Sequence, residues 1–319
     1  LLDRSVASRP ERVLVTGAAG FVGAWLCRRL LAERCAVAGL VRSPPAGNGL
    51  FARLCLADGV DLWIAEETDL SARIRAFAPT AVVNLAGCSQ VSVARADPAA
   101  AFRANTAFLW ELLDALRLLA KPPAFIHAST EAVYGTGTGG GFREGDPTAP
   151  LGPYAASKAA GEIVVRSYAA TYGLPTVIVR FGNIYGPGDP NHARLVPDLT
   201  RSFATDRPVR LRDGRSVRSY LHVDDAVDAL LRLVAQAGRP DIRGEVFNVA
   251  GERAYTNLDV AQLARAASGR LSADIIVDEA LDSTVQFAST EKIRRVLDWQ
   301  PRISLADGLS GIAQEEATR

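Results

Sequence analysis

The sequence predicts an α/β protein built on a doubly wound parallel sheet. Short runs rich in Val, Ile and Leu alternate along the chain with longer segments of helical period. These runs are RVLVTG, AVAGLVR, TAVVNLAG, AFIHAST, PTVIVRFGN and EVFNVAG. Alternating strands and helices form βαβ units, whose parallel sheet is covered by helices on both faces. With 48% hydrophobic and 22% charged residues among 319, the chain has the composition of a folded globular protein.

The order of the elements divides the chain into a large first domain and a smaller second one. Helical periodicity covers residues 21–33, 99–119, 155–171, 224–237 and 258–267. From about residue 184 the alternation loosens and Pro and Gly become frequent, which indicates a lobe made of irregular pieces. We therefore expect one domain at 11–183, with a strand or helix returning near 220–250, and a substrate-binding lobe at 184–315. A ligand would lie in the crevice between them, over the carboxyl edge of the sheet.

Charge and cysteine usage disfavour several classes of protein. A formal net charge of +1 argues against a nucleic-acid or membrane surface as the main partner, because proteins that bind these anionic surfaces usually carry a strong positive charge. The four cysteines include no CxxC pair and only three histidines are present, so no metal site is expected. No apolar run is long enough to span a bilayer. We expect reduced thiols and a cytoplasmic protein.

The first predicted strand runs directly into a glycine-rich turn that opens a helix. Gly17 permits the tight turn, Gly20 lets the backbone approach a pyrophosphate, and Gly23 allows close packing of the helix on the strand. The helix begins near Val22, so its positive N-terminus would lie beside the phosphates. A strand before the turn and a helix after it are typical of a Rossmann-like dinucleotide site.

The end of the second predicted strand bears on the choice between NAD and NADP. An acidic residue there would accept hydrogen bonds from the adenosine ribose 2′-hydroxyl, but Val41 and Arg42 stand in its place. A guanidinium suits a 2′-phosphate, which favours NADP. The alternative is that Arg42 is an ordinary solvated surface residue, which leaves NAD possible.

Tyr154 and Lys158 open a helix that follows a turn-rich loop. Residues four apart lie on one face of a helix, so the ammonium can approach the phenol and lower its pKa from about 10 toward working pH. The phenol then becomes a usable general acid or base. Together with the glycine-rich turn, this pair predicts catalysis beside a bound dinucleotide.

These motifs resemble those of the extended short-chain dehydrogenase/reductases, the NAD(P)-dependent nucleotide-sugar epimerase and dehydratase group. The resemblance runs from residue 12 to about residue 309. It rests on the three glycines, NLAG at 84–87, Asn105 in RANTAF, STEAVYG, YAASK, RFGNIYGPG at 180–188, VRSYLHVDDAVDAL at 217–230 and DWQPRISLADGL at 298–309.

The resemblance implies a role for each site residue. Tyr154 would exchange a proton with a sugar oxygen, Thr130 would hydrogen-bond that oxygen, and Lys158 would hold the nicotinamide ribose. The implied dinucleotide-binding residues are Gly17, Gly20, Phe21, Val22, Gly23, Arg42, Leu85, Ala86, Gly87, Asn105, Tyr154 and Lys158, with Asn105 also supporting the local helix geometry. The implied nucleotide-sugar contacts are Asn183, Leu195, Val196 and Arg218. An acid usually follows this arginine in the family, whereas Ser219 follows it here, and a surface salt bridge is the alternative role of Arg218.

The residues after Thr130 separate this chain from the family's sugar dehydratases. In those enzymes the hydroxyl residue is followed in the sequence by an acidic residue and then by a Glu. Together these two residues protonate the departing hydroxyl and remove a carbon-bound proton. Glu131 fits this pattern, but the methyl group of Ala132 supplies neither function. A conventional 4,6-dehydratase is therefore disfavoured. For Glu131 four roles stay open: binding a sugar hydroxyl, acting as an acid, pairing with Arg143, or facing solvent.

The reactions that remain need one hydride and one oxygen-bound proton. They are the reduction of a 4-keto-(6-deoxy)hexose nucleotide, which Arg42 and NADP favour, and 4-epimerisation with retained NAD. A cofactor-binding sensor is a third hypothesis, but it would be expected to lack part of the catalytic set. A reductase of small carbonyl compounds is a fourth, in which Asn183 and Arg218 would not face the cleft. The helices at 99–119 and 155–171 carry apolar residues on more than one face, and the equivalent pair in the family forms a dimer interface, so we expect a homodimer.

Overall fold

The computed structural model describes residues 11–137, 139–278 and 283–317. The chain folds into two compact units. The first comprises the described residues within Leu1–Val133, Pro150–Arg180 and Val227–Phe247, and the second those within Tyr134–Ala149, Phe181–Ala226 and Asn248–Arg319. The chain therefore passes between the units several times. The sequence placed residues 134–149 in the first domain, whereas in the structure they belong to the second unit.

Strands and helices alternate along the chain. The strands are β1 Arg12–Thr16, β2 Ala36–Val41, β3 Val60–Ile64, β4 Ala81–Asn84, β5 Ala124–Thr130, β6 Thr176–Phe181, β7 Asn183–Tyr185, β8 Val209–Leu211, β9 Val217–His222, β10 Val246–Val249, β11 Ala254–Thr256, β12 Ile275–Val277 and β13 Val285–Gln286. The helices are α1 Phe21–Ala32, α2 Leu50–Arg53, α3 Leu70–Phe77, α4 Val91–Ala96, α5 Pro98–Phe102, α6 Phe108–Arg117, α7 Gly152–Tyr172, α8 Leu195–Ala204, α9 Val223–Gln236, α10 Asn257–Ser268, α11 Glu291–Leu297 and α12 Leu305–Ala317.

The first unit is built on a seven-stranded sheet with the order β10-β6-β5-β4-β1-β2-β3. Parallel pairing is in register, so that Val15 of β1 lies between Gly39 of β2 and Val83 of β4. The predicted doubly wound parallel sheet is confirmed. The sequence analysis missed β3, because this outermost strand interrupts its apolar residues with the exposed Asp61.

Helices cover the sheet with an apolar core. Leu14, Val82 and Phe125 from three neighbouring strands share one buried cluster with Leu112 and Leu116 of α6. Branched and aromatic side chains fill the space between strand and helix, which is the packing that a sheet buried on both faces requires.

The predicted helix at 99–119 is not α-helical throughout. It consists of α5, a π-helical turn at Arg103–Ala107 that contains Asn105, and α6. A π-helical turn adds one residue to the turn and occurs often at functional sites. Periodicity within the flanking segments does not reveal it, because each segment keeps its own helical spacing.

The second unit contains short strands and its own core. β7, β9, β11 and β13 form a four-stranded sheet, and β8 pairs with β12. Asn248 anchors the segment 134–149 within this unit, since its amide accepts from the Tyr134 hydroxyl at 2.7 Å and donates to the Phe142 carbonyl at 3.0 Å. The backbone N–H of Asn248 also donates to the Glu144 carboxylate at 2.9 Å. Residues 134, 142 and 144 of this segment are therefore held by hydrogen bonds to Asn248.

Three further observations concern cysteines, metals and membranes. All four cysteines are free thiols. Among residues 11–137, 139–278 and 283–317, no group of three or more His, Cys, Asp or Glu side chains has the arrangement of a metal site. In the same part of the chain, none of the helices combines the length and the hydropathy needed to cross a bilayer.

Candidate active site

The site in the first unit is created by three neighbouring parallel strands that end at the same edge of the sheet. β1 ends at Thr16, β4 at Asn84 and β5 at Thr130. Because β4 lies between β1 and β5, their carboxyl ends bring the glycine-rich turn, the NLAG loop and the STEA segment together. Ligands of doubly wound sheets bind at this edge.

The glycine-rich turn has the backbone geometry that its sequence predicts. Gly17 has a φ of +71°, a conformation that favours glycine, and a Cβ there would lie 2.9 Å from the backbone nitrogen of Ala86. A Cβ on Gly23 would lie 2.1 Å from the Gly17 carbonyl oxygen, so only glycine allows α1 this close to the turn. Phe21 and Val22 form the first turn of α1, directly after Gly20. The first N–H groups of a helix have no intrahelical partner, so the start of α1 is where the pyrophosphate of a dinucleotide would bind.

The loop that follows β4 packs against this turn. The Ala86 N–H donates to the Thr16 hydroxyl at 3.1 Å, and the Leu85 N–H donates to the Thr16 carbonyl at 3.2 Å. Gly87 has a φ of +154°, and a Cβ there would lie 2.2 Å from the Oδ1 atom of Asn105. A side chain at this position would therefore push the loop away from the helix that carries Asn105.

The side chain of Asn105 connects the loop to α7 through protein groups. Its Oδ1 atom accepts from the Cys88 N–H at 2.9 Å, and its amide donates to the Cys88 carbonyl at 3.1 Å and to the Ser157 hydroxyl at 2.9 Å. Asn105 is buried, so its carboxamide serves the protein framework. These hydrogen bonds hold the loop after β4 against α7. The contact of Asn105 with a dinucleotide stays a prediction.

Lys158 is buried one helical turn after Tyr154 on α7. Its Nζ atom donates to the Ala128 carbonyl of β5 at 2.9 Å. Burial lowers the pKa of Lys158 from 10.5 to about 8, while the negative charges available at Cys88 and Glu162 act in the opposite direction. Tyr154 is half-buried in the first turn of the same helix. Lys158 therefore lies beside the last residues of β5, and Tyr154 precedes it by one helical turn.

Thr130, Glu131 and Ala132 continue from the end of β5. The Thr130 hydroxyl accepts from the Ala132 N–H at 3.2 Å, which fixes this side chain at the strand end. Glu131 is only 3% exposed, so the alternative that it faces solvent is wrong. Arg143, the ion-pair partner suggested for Glu131, pairs with Glu291 at 3.3 Å.

Arg42 lies directly after β2 and its side chain is exposed. β2 is the neighbour of β1, so Arg42 lies on the strand next to the one that carries the glycine-rich turn. The structure confirms that no acidic residue ends β2, since Val41 is its last residue.

The four predicted substrate residues lie in the second unit and do not all share one site. Asn183, Leu195 and Val196 line one pocket, together with Ile184, Tyr185, Arg194, Pro197 and Tyr220. Arg218 lies on β9, where its Nη1 atom donates to the carbonyls of Val217 and Thr284, each at 2.8 Å. Its Nη2 atom donates to the Thr284 hydroxyl at 2.6 Å. Neutral oxygens of its own unit thus hold this guanidinium.

Two groups of residues near these sites were missed by the sequence analysis. Arg194 lines the second-unit pocket and forms an ion pair with Asp189 at 2.9 Å. In the first unit, Glu162 lies buried between Ser129 and Arg180. The spacing of Glu162, four residues after Lys158, is the one signal in the sequence that could have pointed to it.

The pKa of Lys158 predicts how stability depends on pH. The folded pKa lies below the unfolded value, so the folded state binds this proton less tightly, and stability rises as pH increases from about 8 toward 10.5. Lys158→Met lacks this group, so its unfolding free energy does not gain from the deprotonation. We expect the unfolding free energy of the variant minus that of wild type to fall by up to about 3 kcal/mol between about pH 7 and 10. Urea denaturation at each pH measures the difference. Lys121→Met, which changes an exposed lysine, should show no such pH-dependent difference, and a constant difference for Lys158→Met would contradict the prediction.

Comparisons with known proteins agree with this architecture. Residues 13–250 match the NAD dependent epimerase/dehydratase family. The chain is 32% identical to a dTDP-glucose 4,6-dehydratase of Neisseria gonorrhoeae, with 95% of each chain covered. It is also 32% identical to a UDP-glucose 4-epimerase of Mycolicibacterium smegmatis, with 94% of this chain and 96% of the relative covered.

Solved structures show the same similarity in three dimensions. The UDP-glucuronic acid 4-epimerase of Bacillus cereus, in complex with UDP-glucuronic acid and NAD, superposes with a TM-score of 0.86 at 28% identity, covering 96% of this chain and 99% of that one. A dTDP-glucose 4,6-dehydratase of Streptomyces venezuelae with NAD bound gives a TM-score of 0.85 at 28% identity and covers 97% of both chains. The chain described here therefore belongs to the NAD dependent epimerase/dehydratase family and is an enzyme of the extended short-chain dehydrogenase/reductase type.

Proposed function

We propose that this enzyme is an oxidoreductase that reduces a 4-keto-(6-deoxy)hexose nucleotide with NADPH. The observation that carries the proposal is the site at the end of β5, where Thr130 and the Tyr154–Lys158 pair are present and Ala132 occupies the position of a second acid. Such a site can exchange one proton with one oxygen. Hydride transfer to a ketone needs no further acid or base.

In the proposed reaction the chain's own residues handle the proton and the orientation. Tyr154 donates its hydroxyl proton to the carbonyl oxygen, and Thr130 donates a hydrogen bond to the same oxygen. Lys158 places a positive charge one helical turn from Tyr154 and binds the nicotinamide ribose. The bound dinucleotide, held at Gly17, Gly20 and Gly23, supplies the hydride.

Arg42 supports NADP as the dinucleotide. Its exposed guanidinium follows β2 at the position where an acid would otherwise accept the ribose 2′-hydroxyl. A 2′-phosphate would gain a charged hydrogen bond there. The Bacillus and Streptomyces structures contain NAD, so NAD is the alternative for this chain.

A second candidate is 4-epimerisation of a nucleotide sugar. Two of the similar proteins are 4-epimerases, from Mycolicibacterium and Bacillus. Epimerisation uses the same proton exchange at the same oxygen, but the dinucleotide is oxidised and reduced within one cycle and stays bound. Dehydration is disfavoured for this chain, because the methyl group of Ala132 cannot protonate a leaving hydroxyl or accept a carbon-bound proton.

The lining of the second-unit pocket favours recognition of the nucleoside diphosphate part of the substrate. Asn183 contributes a side-chain amide, and Leu195 and Val196 contribute the first turn of α8. A helix start and an amide suit phosphate oxygens and a nucleoside. Arg218 needs to leave the carbonyls of Val217 and Thr284, at least in part, to contact a diphosphate.

A homodimer is the proposed assembly. The helices α5, α6 and α7 of the first unit carry large apolar side chains at the surface, among them Phe102, Trp110 and Ile163. Trp110 is 47% exposed and Ile163 is 70% exposed, although both belong to helices that otherwise pack in the core. A second copy of the same face would cover these side chains with a symmetric interface.

Replacement of the phenol tests the chemistry. Tyr154→Phe removes only the proton donor, so we expect turnover of a dTDP-4-keto-6-deoxyglucose substrate to fall by at least about 100-fold while NADPH affinity is retained. NADPH consumption, with product analysis, measures the rate, and interconversion of UDP-glucose and UDP-galactose without net NADPH consumption would identify an epimerase instead. Tyr172→Phe, on the same helix, is the matched control. A Tyr154→Phe rate near that of wild type would exclude this role.

Removal of the guanidinium at the end of β2 tests the choice of dinucleotide. Arg42→Ala should weaken NADPH binding by about 1 to 3 kcal/mol, because a charged hydrogen bond to the 2′-phosphate is lost, and should leave NADH almost unchanged. Isothermal calorimetry with both dinucleotides measures the two effects. Arg75→Ala, which changes an exposed arginine of α3, should alter neither. Equal weakening of both dinucleotides by Arg42→Ala would refute the assignment.

A charge on the apolar face tests the assembly. Ile163→Asp should convert a dimer into a monomer, because an ionised carboxylate would be buried without a partner at the interface. Sedimentation velocity gives the mass of each variant. Leu271→Asp is a matched control, since Leu271 is also 70% exposed but lies in the second unit. A wild-type chain that is monomeric throughout would overturn the proposed assembly.

A further inference from the structure

A buried ion pair lies directly behind the end of β5. Arg180 donates from Nε to the Glu162 Oε1 atom at 2.9 Å and from Nη2 to the Oε2 atom at 2.6 Å. The Ser129 hydroxyl donates to the same Oε1 atom at 2.6 Å. The Arg180 and Glu162 side chains are 2% and 4% exposed, so the pair is sealed from water.

The position of this pair relates it to the candidate catalytic lysine. Glu162 follows Lys158 by four residues on α7, so the carboxylate and the ammonium lie on one face of the helix. Ser129 lies between Ala128, whose carbonyl accepts from Lys158, and Thr130. The hydrogen bond from Ser129 to Glu162 therefore ties β5 to α7 where the proposed chemistry takes place.

We propose that Glu162, held by Ser129 and Arg180, is a positioning residue that keeps Lys158 charged and keeps the end of β5 against α7. This inference rests on the proposed function, because Glu162 can affect catalysis only through the proposed role of Lys158. Glu162 itself touches no reacting atom in this assignment.

The charged and titratable groups around Lys158 support this role. Tyr154 and Glu162 lie on its own helix, as does Arg166, which lies 3.8 Å from the Glu162 carboxylate. Cys88 lies on the loop after β4, His127 on β5 and Arg180 on β6. Burial lowers the pKa of His127 well below its ordinary value, and the charge of Lys158 adds to this effect, so His127 is neutral. Glu162 is then the nearby carboxylate on α7 that favours the ammonium form of Lys158, an effect that opposes the cost of burial.

Stability alone is a poor explanation of the pair. A buried ion pair is often no more stabilising than apolar residues of similar volume, because desolvation offsets the attraction. Arg180 holds both carboxylate oxygens, and such a bidentate pair fixes orientation. The geometry therefore points to a defined position for the carboxylate beside the lysine.

The test is a direct titration of Lys158. The chain has three lysines, Lys121, Lys158 and Lys292, so selective ¹³Cε-lysine labelling gives few NMR signals and two internal references. In Glu162→Gln we expect the Lys158 titration to move to lower pH by about one to two pH units, the effect of removing a unit charge about 6 Å away at an effective dielectric constant of about 20 to 40. Glu67→Gln, which neutralises an exposed carboxylate of the first unit, should leave it unchanged.

A second variant covers the case in which Glu162→Gln does not fold. Glu162→Leu combined with Arg180→Met replaces the buried pair by apolar groups, a change that proteins often tolerate. We expect a smaller shift of the Lys158 titration in the same direction, because the Arg180 charge that is also lost has the opposite effect on the ammonium. An unchanged Lys158 titration in whichever variant folds, judged by near-ultraviolet circular dichroism, overturns the proposal.

The same variants separate this inference from the proposed function. If Lys158 plays its proposed role, the pH dependence of kcat/KM should move with the Lys158 titration. A shifted titration with an unchanged pH dependence of kcat/KM would leave the positioning role of Glu162 intact and would refute the role of Lys158 in the reaction. An unshifted titration refutes the positioning role whatever the turnover.

Discussion

The first unit depends on the parallel pairing of β1, β4 and β5. These strands come from separate parts of the chain, yet their carboxyl ends lie side by side because parallel pairing aligns strand direction. Two of the candidate catalytic groups, those of Thr130 and Lys158, are held by β5. Thr130 ends one of the strands, and Lys158 bonds to the carbonyl of a residue two positions earlier in the same strand. The sheet therefore helps to position these two groups, while α7 carries Lys158 together with Tyr154.

Close backbone approach is the second constraint. Gly87 allows the loop after β4 to touch Asn105, and Gly23 allows α1 to touch the glycine-rich turn. Each contact would be lost with a single methyl group. The π-helical turn that contains Asn105 has a related purpose, because it directs this amide to the backbone of Cys88. Small residues and an irregular helix thus let three segments meet at one place.

In the second unit, which has only short strands, side-chain hydrogen bonds hold the irregular segments in place. Asn248 is its clearest example, since one buried residue satisfies a tyrosine hydroxyl, a backbone carbonyl and a carboxylate from the segment 134–149. Arg218 is used in a similar way, bonded to Val217 and to Thr284. Its assignment as a phosphate ligand rests on the family resemblance, while its bonds show a structural use.

The sequence by itself determined the fold class, the glycine-rich turn, the helical pairing of Tyr154 with Lys158 and the missing acid at Ala132. These are local properties, because backbone conformation, helical spacing and side-chain chemistry can be read from neighbouring residues. Only the tertiary structure decided which polar groups are buried and what they bond to. The contact between Glu162 and Arg180, the burial of Glu131 and the hydrogen bonds of Asn105 to Cys88 and Ser157 all depend on segments far apart in the chain. Their burial and partners arise when the sheet and its helices pack, and no local pattern encodes that packing.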